Sequence, residues 1–591
     1  MRVIKTKDRS KLIQAAMGKI PCDLTIGNVQ FLNVITGEIY PASVDILDGF
    51  VVLVREEGQE PALPAKKYYD GCGRYLIPGF IDTHVHVEST MMIPENLSRA
   101  ILPWGTTTIC TDPHEIGNVM GIEGVEFMLA NAKKSKLRQY VLAPSCVPSV
   151  PGLENAGAEF GAAEIARLLD MDNVVGIAEI MDYVGVINDT ERMHSIIEEG
   201  VKRGMFLQGH APYCTGKELA AYLIGGPVSD HESVSEDEVR AKLRAGMHIN
   251  LRASSLIDSL SFLVDGCKDM PWRDFVSVCT DDVHAKDLLT VGHINKVVGK
   301  AIAAGLDGKE VIKLATLNAA REYGFADLGA IAPGYIADIQ LVDALDGSRP
   351  KAVFVEGELV AEDGKYLGSD SMGEAYDLPN TVNIPQLSGS DSFRLRVPEG
   401  YSGSTVTVNV MTPVPGSRIL RHVVPTELPV KDGAVDISDD ASLCFVCCAN
   451  RYGLGSKTIA VYRNFGLLTG ALASTISHDS HNLTVCYRSA DDAWLAAETL
   501  RNCGGGVCAA NNGSETHIEL PAAGLMSQKP CAEVAQDIAE VQKEVDVISG
   551  GALTLLASAI IALPVLPSVV ITDMGLVDGT TQSFVPVFAD M

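Results

Sequence analysis

The sequence predicts an α/β fold: a (β/α)8 TIM-like barrel, a small flanking β-sandwich built from both sides of the barrel, and an additional C-terminal α/β domain. Three observations predict it. From Leu76 to about Gly324, eight short apolar runs alternate with helix-sized amphipathic stretches, the pattern of a barrel of about 250 residues. On both sides of that region the texture changes to short strands separated by turn signals. Beyond about residue 385 the alternation of strand-like and helix-like segments begins again.

Taken in order, residues 1–75 hold an N-terminal segment and the first part of the sandwich, because DLTIGNVQFLNVITG and SVDILDGFVVLVREEGQEP read as antiparallel hairpins. Residues 76–330 supply the barrel. Its strands are YLIPGFIDTHVH, TTTICTDP, QYVLAPS, VVGIAEI, MFLQGHAP, PVSDHES, MHINLRAS and FVSVCTDDVHA, with helices such as TERMHSIIEEGVKRG and SEDEVRAKLRAG between them. Residues 331–384 return to hairpins (IAPGYIADIQLVD, KAVFVEGELVAEDGKYL) and are expected to pair with the first flank. Residues 385–591 make the C-terminal domain.

Composition narrows the function. Lys plus Arg is 47 and Asp plus Glu is 75, a net charge of −28, which repels phosphate backbones and anionic lipid headgroups. Nucleic-acid polymers and membrane surfaces are therefore not the expected partners. The 14 cysteines show no repeated C-x-x-C pairing, and the first twenty residues lack a secretory pattern, so reduced thiols in a cytoplasmic protein are expected. Residues 547–571 are apolar enough to cross a bilayer, but Gly550, Gly551, Pro564 and Pro567 divide them, and a buried helix–turn–strand is expected instead.

The chemistry sits at strand ends. His84 and His86 close the first strand in D-T-H-V-H, and alternate residues of a strand share a face, so both imidazoles can reach one ion. Glu179, His210, His231 and Asp281 close the fourth, fifth, sixth and eighth strands. In a barrel these ends converge on one mouth. Four histidines and two carboxylates suit two divalent transition ions such as Zn, Fe or Mn, and a shared carboxylate can bridge them.

With these residues in view, the chain resembles the amidohydrolase superfamily and, within it, the adenine deaminases. PGFIDTHVH at 78–86, His210, His231 and Asp281 carry the broad likeness. HVEST at 86–90, TDPHEIGNVMG at 111–121, GHAPYCTGKELAAY at 209–222, SDHES at 229–233, CTDDVHA at 279–285, SHDSHN at 477–482 and LPAAGLMS at 520–527 carry the narrow one. The resemblance runs from about residue 20 to the C-terminus. It implies hydrolytic deamination of adenine to hypoxanthine and ammonia, in purine salvage, at a binuclear centre filled by Mn(II) or Fe(II), with Zn(II) as a further option. His84, His86 and Asp281 would hold one ion and His210 and His231 the other, with Glu179 bridging. Hydantoinases and dihydroorotases bridge with a carboxylated lysine, and GIAEI offers none. The alternative reading is an amidohydrolase acting on another aminated heterocycle or a cyclic amide. The resemblance also implies a homo-oligomer, a dimer first.

In the expected mechanism the ions turn a shared water into hydroxide, and Asp281 takes its proton and passes it to the ring or the departing amine. Substrate contacts are expected from Asp282, Glu88, Asp112, His114, Glu115 and Glu232, one of the glutamates donating a proton to N1. Asp112 can instead be a turn or cap residue before Pro113, and Glu232 a solvated loop carboxylate. Family members commonly carry Arg-Glu-Gly-Ser after the seventh strand; here LRASS leaves Arg252 and Ser255 as the matched positions. His478, Asp479, His481 and Asn482 read as a loop over the barrel mouth, an additional metal site, or a hydrogen-bonded turn.

Overall fold

A computed structural model describes residues 9–59, 61–255, 259–368, 376, 378–417 and 420–589. The N-terminal flank holds β1 (Cys22–Asn33), β2 (Glu38–Leu47), β3 (Phe50–Glu56), β4 (Ala65–Asp70) and β5 (Tyr75–Pro78). The central region contributes β6 (Phe80–His86), β7 (Thr106–Thr111), β8 (Arg138–Ala143), β9 (Val174–Ile180), β10 (Phe206–Gly209), β11 (Ser229–Asp230), β12 (His248–Arg252), β13 (Val276–Cys279) and β14 (Asp281–Asp282). After it come β15 (Ile339–Val342), β16 (Ala352–Val355), β17 (Glu358–Glu362) and β18 (Lys365–Tyr366).

The central strands are parallel and form a curled sheet in two arcs, β10-β9-β8-β7-β6-β14 and β11-β12-β13. Only Thr280 separates β13 from β14, so one arc continues into the other. At the opposite seam the Val228 N–H donates to the Leu207 carbonyl at 3.0 Å. The strands are buried along their length because helices cover the outside and side chains fill the inside, which is why they read as continuous apolar runs.

The two flanks meet as expected: β5 pairs antiparallel with β15, Tyr75–Pro78 against Ile339–Val342. The difference from a two-sheet sandwich is that hydrogen bonds run through all nine strands as one sheet. β1 is long and bulged between Ile26 and Val29, with Asn28 at φ 54°, and its two halves pair with different partners, β4 and β5. The sheet thereby folds over itself until the Tyr69 ring meets Phe354 edge-on at 5.1 Å around one apolar core.

The C-terminal region corrects the expectation of α/β alternation. Its nine strands run in the order 434–435, 421–431, 405–413, 457–463, 443–449, 483–487, 471–474, 506–511 and 514–519, and every contact but the one between Met411 and Tyr462 is antiparallel. Helices Ala490–Cys503 and Cys531–Ser549 accompany them. Strands such as LCFVCCA and ALAS lie in the middle of this sheet and are covered on both faces, so they lack the alternation that marks antiparallel pairing. One apolar cluster joins Val87, Met91 and Ile116 to Leu472, Ile476 and Leu525, so the C-terminal sheet shares a core with the central region. The helix expected within 547–571 is not there: the preceding helix stops at Ser549 with Gly550 at φ 64°, and a buried, turn-rich stretch leads to a strand at Val569–Thr572. Among the described residues no helix is long and apolar enough to cross a membrane, and all 14 cysteines are free thiols.

Candidate metal centre and substrate site

The six expected ligands converge. His86 Nε2 lies 3.3 Å from Asp281 Oδ1 and 3.4 Å from Glu179 Oε1, and His84 Nε2 lies 3.6 Å from Asp281 Oδ1. On the other side of Glu179, Oε2 is 2.5 Å from His210 Nδ1 and 3.2 Å from His231 Nε2. The His84 and His231 rings stack at 4.0 Å. Glu179 thus faces His86 and His114 with Oε1, and His210 and His231 with Oε2, while His84 approaches through Asp281.

Hydrogen bonds fix which nitrogens are free. The His86 Nδ1 sits 3.1 Å from the Asp112 carbonyl, which only accepts, so Nδ1 carries a hydrogen and Nε2 is the nitrogen turned to the carboxylates. Against the effect of burial, Asp281 and Glu179 hold this imidazole's pKa well above its usual value, a place a cation would take over from the proton. His84 Nδ1 is 3.0 Å from Gln208 Oε1, whose amide nitrogen donates to the Thr83 carbonyl and to Tyr323. His84 Nε2 is then a buried lone pair without a hydrogen-bond partner. A free imidazole lone pair aimed at a carboxylate is electrostatically unfavourable alone and suited to a divalent ion between the two, so this donor set fits the ions that the family implies.

Asp281 is the pivot. Its φ of 61° lies in the left-handed region, which Asp tolerates better than most residues, and this break separates β13 from β14. Its Oδ1 turns toward His84 and His86 while its Oδ2 accepts from Arg252 at 2.8 Å. Burial pushes the Asp281 carboxyl up, but Arg252 and the two imidazoles outweigh that and hold it well below the usual carboxylate range.

The expected substrate contacts separate into two groups. Glu88, Asp282 and Glu115 remain at the mouth: Ser89 Oγ bonds to both Asp282 Oδ1 and Glu115 Oε1, and Glu88 Oε1 accepts from the Ile116 N–H at 3.2 Å. The second Glu88 oxygen is buried without a partner, and burial with the nearby Glu115 charge raises its pKa to about 8. The others are engaged elsewhere. Asp112 is an orienting residue, its carboxylate accepting from both the backbone N–H and Nδ1 of His114. Arg252 pairs with Asp281 and Glu232, which takes up the Glu232 carboxylate. Ser255 is held by other partners: its Oγ donates to Asp287 at 2.8 Å and accepts from the His284 N–H, pinning the loop after β12. His114 lies 3.5 Å from Glu179 and 3.4 Å from Asp479.

Several residues that shape this centre were not singled out from the sequence. Gln208 and Asp82 each stand two positions before a ligand, on the same strand face, which is the signal that could have found them. Asp82 accepts from the His84 and Thr280 N–H groups, tying the first and last strands together beneath the ligands. Buried Lys242 donates to Asp230 and to the Ala211 carbonyl, next to His231 and His210. A cavity of about 310 Å³ opens beside His210, lined by Met181, Tyr213, Leu420, Val565 and Leu566, so both the central and the C-terminal regions build the approach.

The arrangement offers the donor set of a metal-dependent hydrolase, and residues 75–360 match the amidohydrolase family. Residues 418–583 match the adenine deaminase C-terminal domain. A curated adenine deaminase 2 of Carboxydothermus hydrogenoformans is 37% identical over 98% of this chain and 99% of its own length. An adenine deaminase of Moorella thermoacetica is 36% identical over 96% of each chain. The chain belongs to the adenine deaminase family.

Proposed function

We propose that this enzyme hydrolyses adenine to hypoxanthine and ammonia at a pair of divalent ions, with His84, His86 and Asp281 holding one, His210 and His231 the other, and Glu179 bridging. The observation that carries it is the convergence of the four imidazoles on Glu179 and Asp281, with separations of 2.5–3.6 Å and an unpartnered, buried Nε2 on His84. We read the two parallel arcs as one closed (β/α)8 barrel, whose C-terminal strand ends bring the ligands together. Mn(II) or Fe(II) fits the mixed imidazole and carboxylate set, which also admits Zn(II).

When bound, the two ions would supply Lewis acidity, lowering the pKa of a water toward neutrality. The residues of the chain do the rest. Asp281, fixed by Arg252, accepts the proton of the attacking water and delivers it to the departing amine. Glu88, protonated near neutral pH, donates from its unpartnered oxygen to a ring nitrogen, which draws electron density away from C6. Glu115 and Asp282, linked through Ser89, frame the base. Entry past Tyr213 and Leu566 leads a flat purine to His210, whose side chain is 16% exposed and so stands at the edge of solvent.

The test is ammonia release from a panel of adenine, guanine, cytosine and cyclic amides after Mn(II) reconstitution. Release from adenine alone is the expected result; release from guanine or cytosine but not adenine overturns the substrate assignment and favours another aminated heterocycle. Glu88→Gln should keep both ions and lower kcat/KM by roughly 10²-fold, the size of one general acid contribution. Unchanged kcat/KM at full metal loading removes Glu88 from the ring contact.

A further inference from the structure

The loop 477–482 joins strands Ala471–Ser474 and Leu483–Tyr487 and is buried along its length. It is fastened from several directions: the His478 N–H donates to the Ala559 carbonyl at 2.8 Å, and Asn482 donates to the Asn155 carbonyl at 2.8 Å. This holds His478, Asp479 and His481 against His114 and Glu115 of the central region.

The separations there are not hydrogen bonds. His114 Nε2 is 3.4 Å from Asp479 Oδ1, and His478 Nδ1 is 3.8 Å from the same oxygen. His114 Nε2 and Asp479 Oδ2 are buried without any partner. The Asp112 carboxylate accepts from His114 Nδ1, which therefore carries a hydrogen, and Nε2 faces the Asp479 carboxylate. With no cation there, burial is outweighed by Asp112 and Asp479, which hold the imidazole's pKa well above its usual value. His481 is arranged the opposite way: its Nδ1 accepts from the Ser477 N–H, so Nε2 carries the hydrogen and points a donor at Glu115, 3.7 Å away. His481 needs no cation, whereas a proton or a metal cation between His114 Nε2 and Asp479 would satisfy both buried, unpartnered atoms.

Two donors on a tetrahedral ion with bonds near 2.1 Å lie about 3.4 Å apart. The ligands around Glu179 and Asp281 show the same spacing, 3.2–3.6 Å between imidazole nitrogen and carboxylate oxygen for His84, His86 and His231. His114, His478 and Asp479 offer ligand atoms within 4.8 Å of one another. We propose that these three residues bind a further divalent transition cation, separate from the pair at the barrel mouth, which clamps the C-terminal loop to the central region. Asp112 orients His114 in the carboxylate–histidine–metal manner, and water completes the coordination.

Metal counting on the full chain tests this independently of the catalytic pair. Stripped protein is reloaded with Mn(II), and metal content is measured together with the electron paramagnetic resonance spectrum. Three equivalents are expected for the unaltered chain and two for Asp479→Asn and for His478→Gln, with loss of the six-line signal of an isolated Mn(II). His84→Asn should instead diminish the coupled-pair signal and leave the isolated one. Two equivalents in the unaltered chain overturn the proposal and leave His114 as a protonated imidazole between Asp112 and Asp479. Equal content in the unaltered chain and both folded variants overturns it as well. Should a variant fail to fold, the count on the unaltered chain decides.

Discussion

Asp281→Asn is expected to lower kcat for adenine by roughly 10²–10⁴-fold, the range of a lost general acid–base group, while the protein retains metal in excess Mn(II). The two carboxylate oxygens have different duties: Oδ1 faces His84 and His86, and Oδ2 is held by Arg252 at 2.8 Å. An amide keeps the shape and one oxygen donor, so a coordination role survives in part. It cannot accept a proton, so a shuttle from water to the leaving amine is lost. The left-handed backbone at φ 61° suits Asn as well as Asp, so the substitution does not disturb the break between β13 and β14. The measurement is kcat with metal content determined on the same sample. Near-normal turnover with both ions bound removes Asp281 from proton transfer; loss of activity that follows loss of metal makes it only a ligand.

The six side chains that converge were legible because strand ends on a curled parallel sheet convert a linear pattern, polar residues at the ends of successive apolar runs, into a spatial one. His84, His86, Glu179, His210, His231 and Asp281 could therefore be picked without knowing a single contact. The substrate contacts were not legible in the same way. Asp112, Glu232, Arg252 and Ser255 lie in the loops that motif matching highlights, but their partners, His114, each other, Asp281 and Asp287, are set by loop conformations that no periodicity encodes. The C-terminal sheet was misread for a related reason. Covered on one side by helix Ala490–Cys503 and on the other by the shared core, its inner strands bury both faces and imitate parallel strands. SHDSHN stood out in the sequence, yet only the fold brings it to His114 and Glu115.

Lys242→Met should be the most destabilising single change near the site, by about 3–5 kcal/mol, because it strips the partner from a buried charge. Lys242 is fully buried, and its ammonium donates to Asp230 at 2.9 Å, Glu238 at 2.6 Å and the Ala211 carbonyl at 2.7 Å. Asp230 in turn accepts from the Ala211 N–H at 3.0 Å, so the network sets the backbone on both sides of His210 and His231. Burial alone would raise the Asp230 pKa; Lys242 and the neighbouring imidazole reverse this and hold the carboxyl far below its usual range. A carboxyl lowered in the folded state stabilises above its unfolded pKa, near 4, and that contribution is lost only as pH falls through the folded value. Without Lys242 the sign changes. Burial then raises the Asp230 pKa above the unfolded one, the folded state binds the extra proton, and stability declines as pH rises. The deficit of Lys242→Met relative to the unaltered chain should therefore be larger at pH 8 than at pH 5. For a cooperative unit of about 150–250 residues the loss corresponds to roughly 6–20 °C in apparent Tm at neutral pH. Calorimetry at the two pH values, at one scan rate and with metal content matched, reads both quantities. A deficit that is small and independent of pH would mean that Asp230 is satisfied by Ser233 and the Ala211 N–H alone.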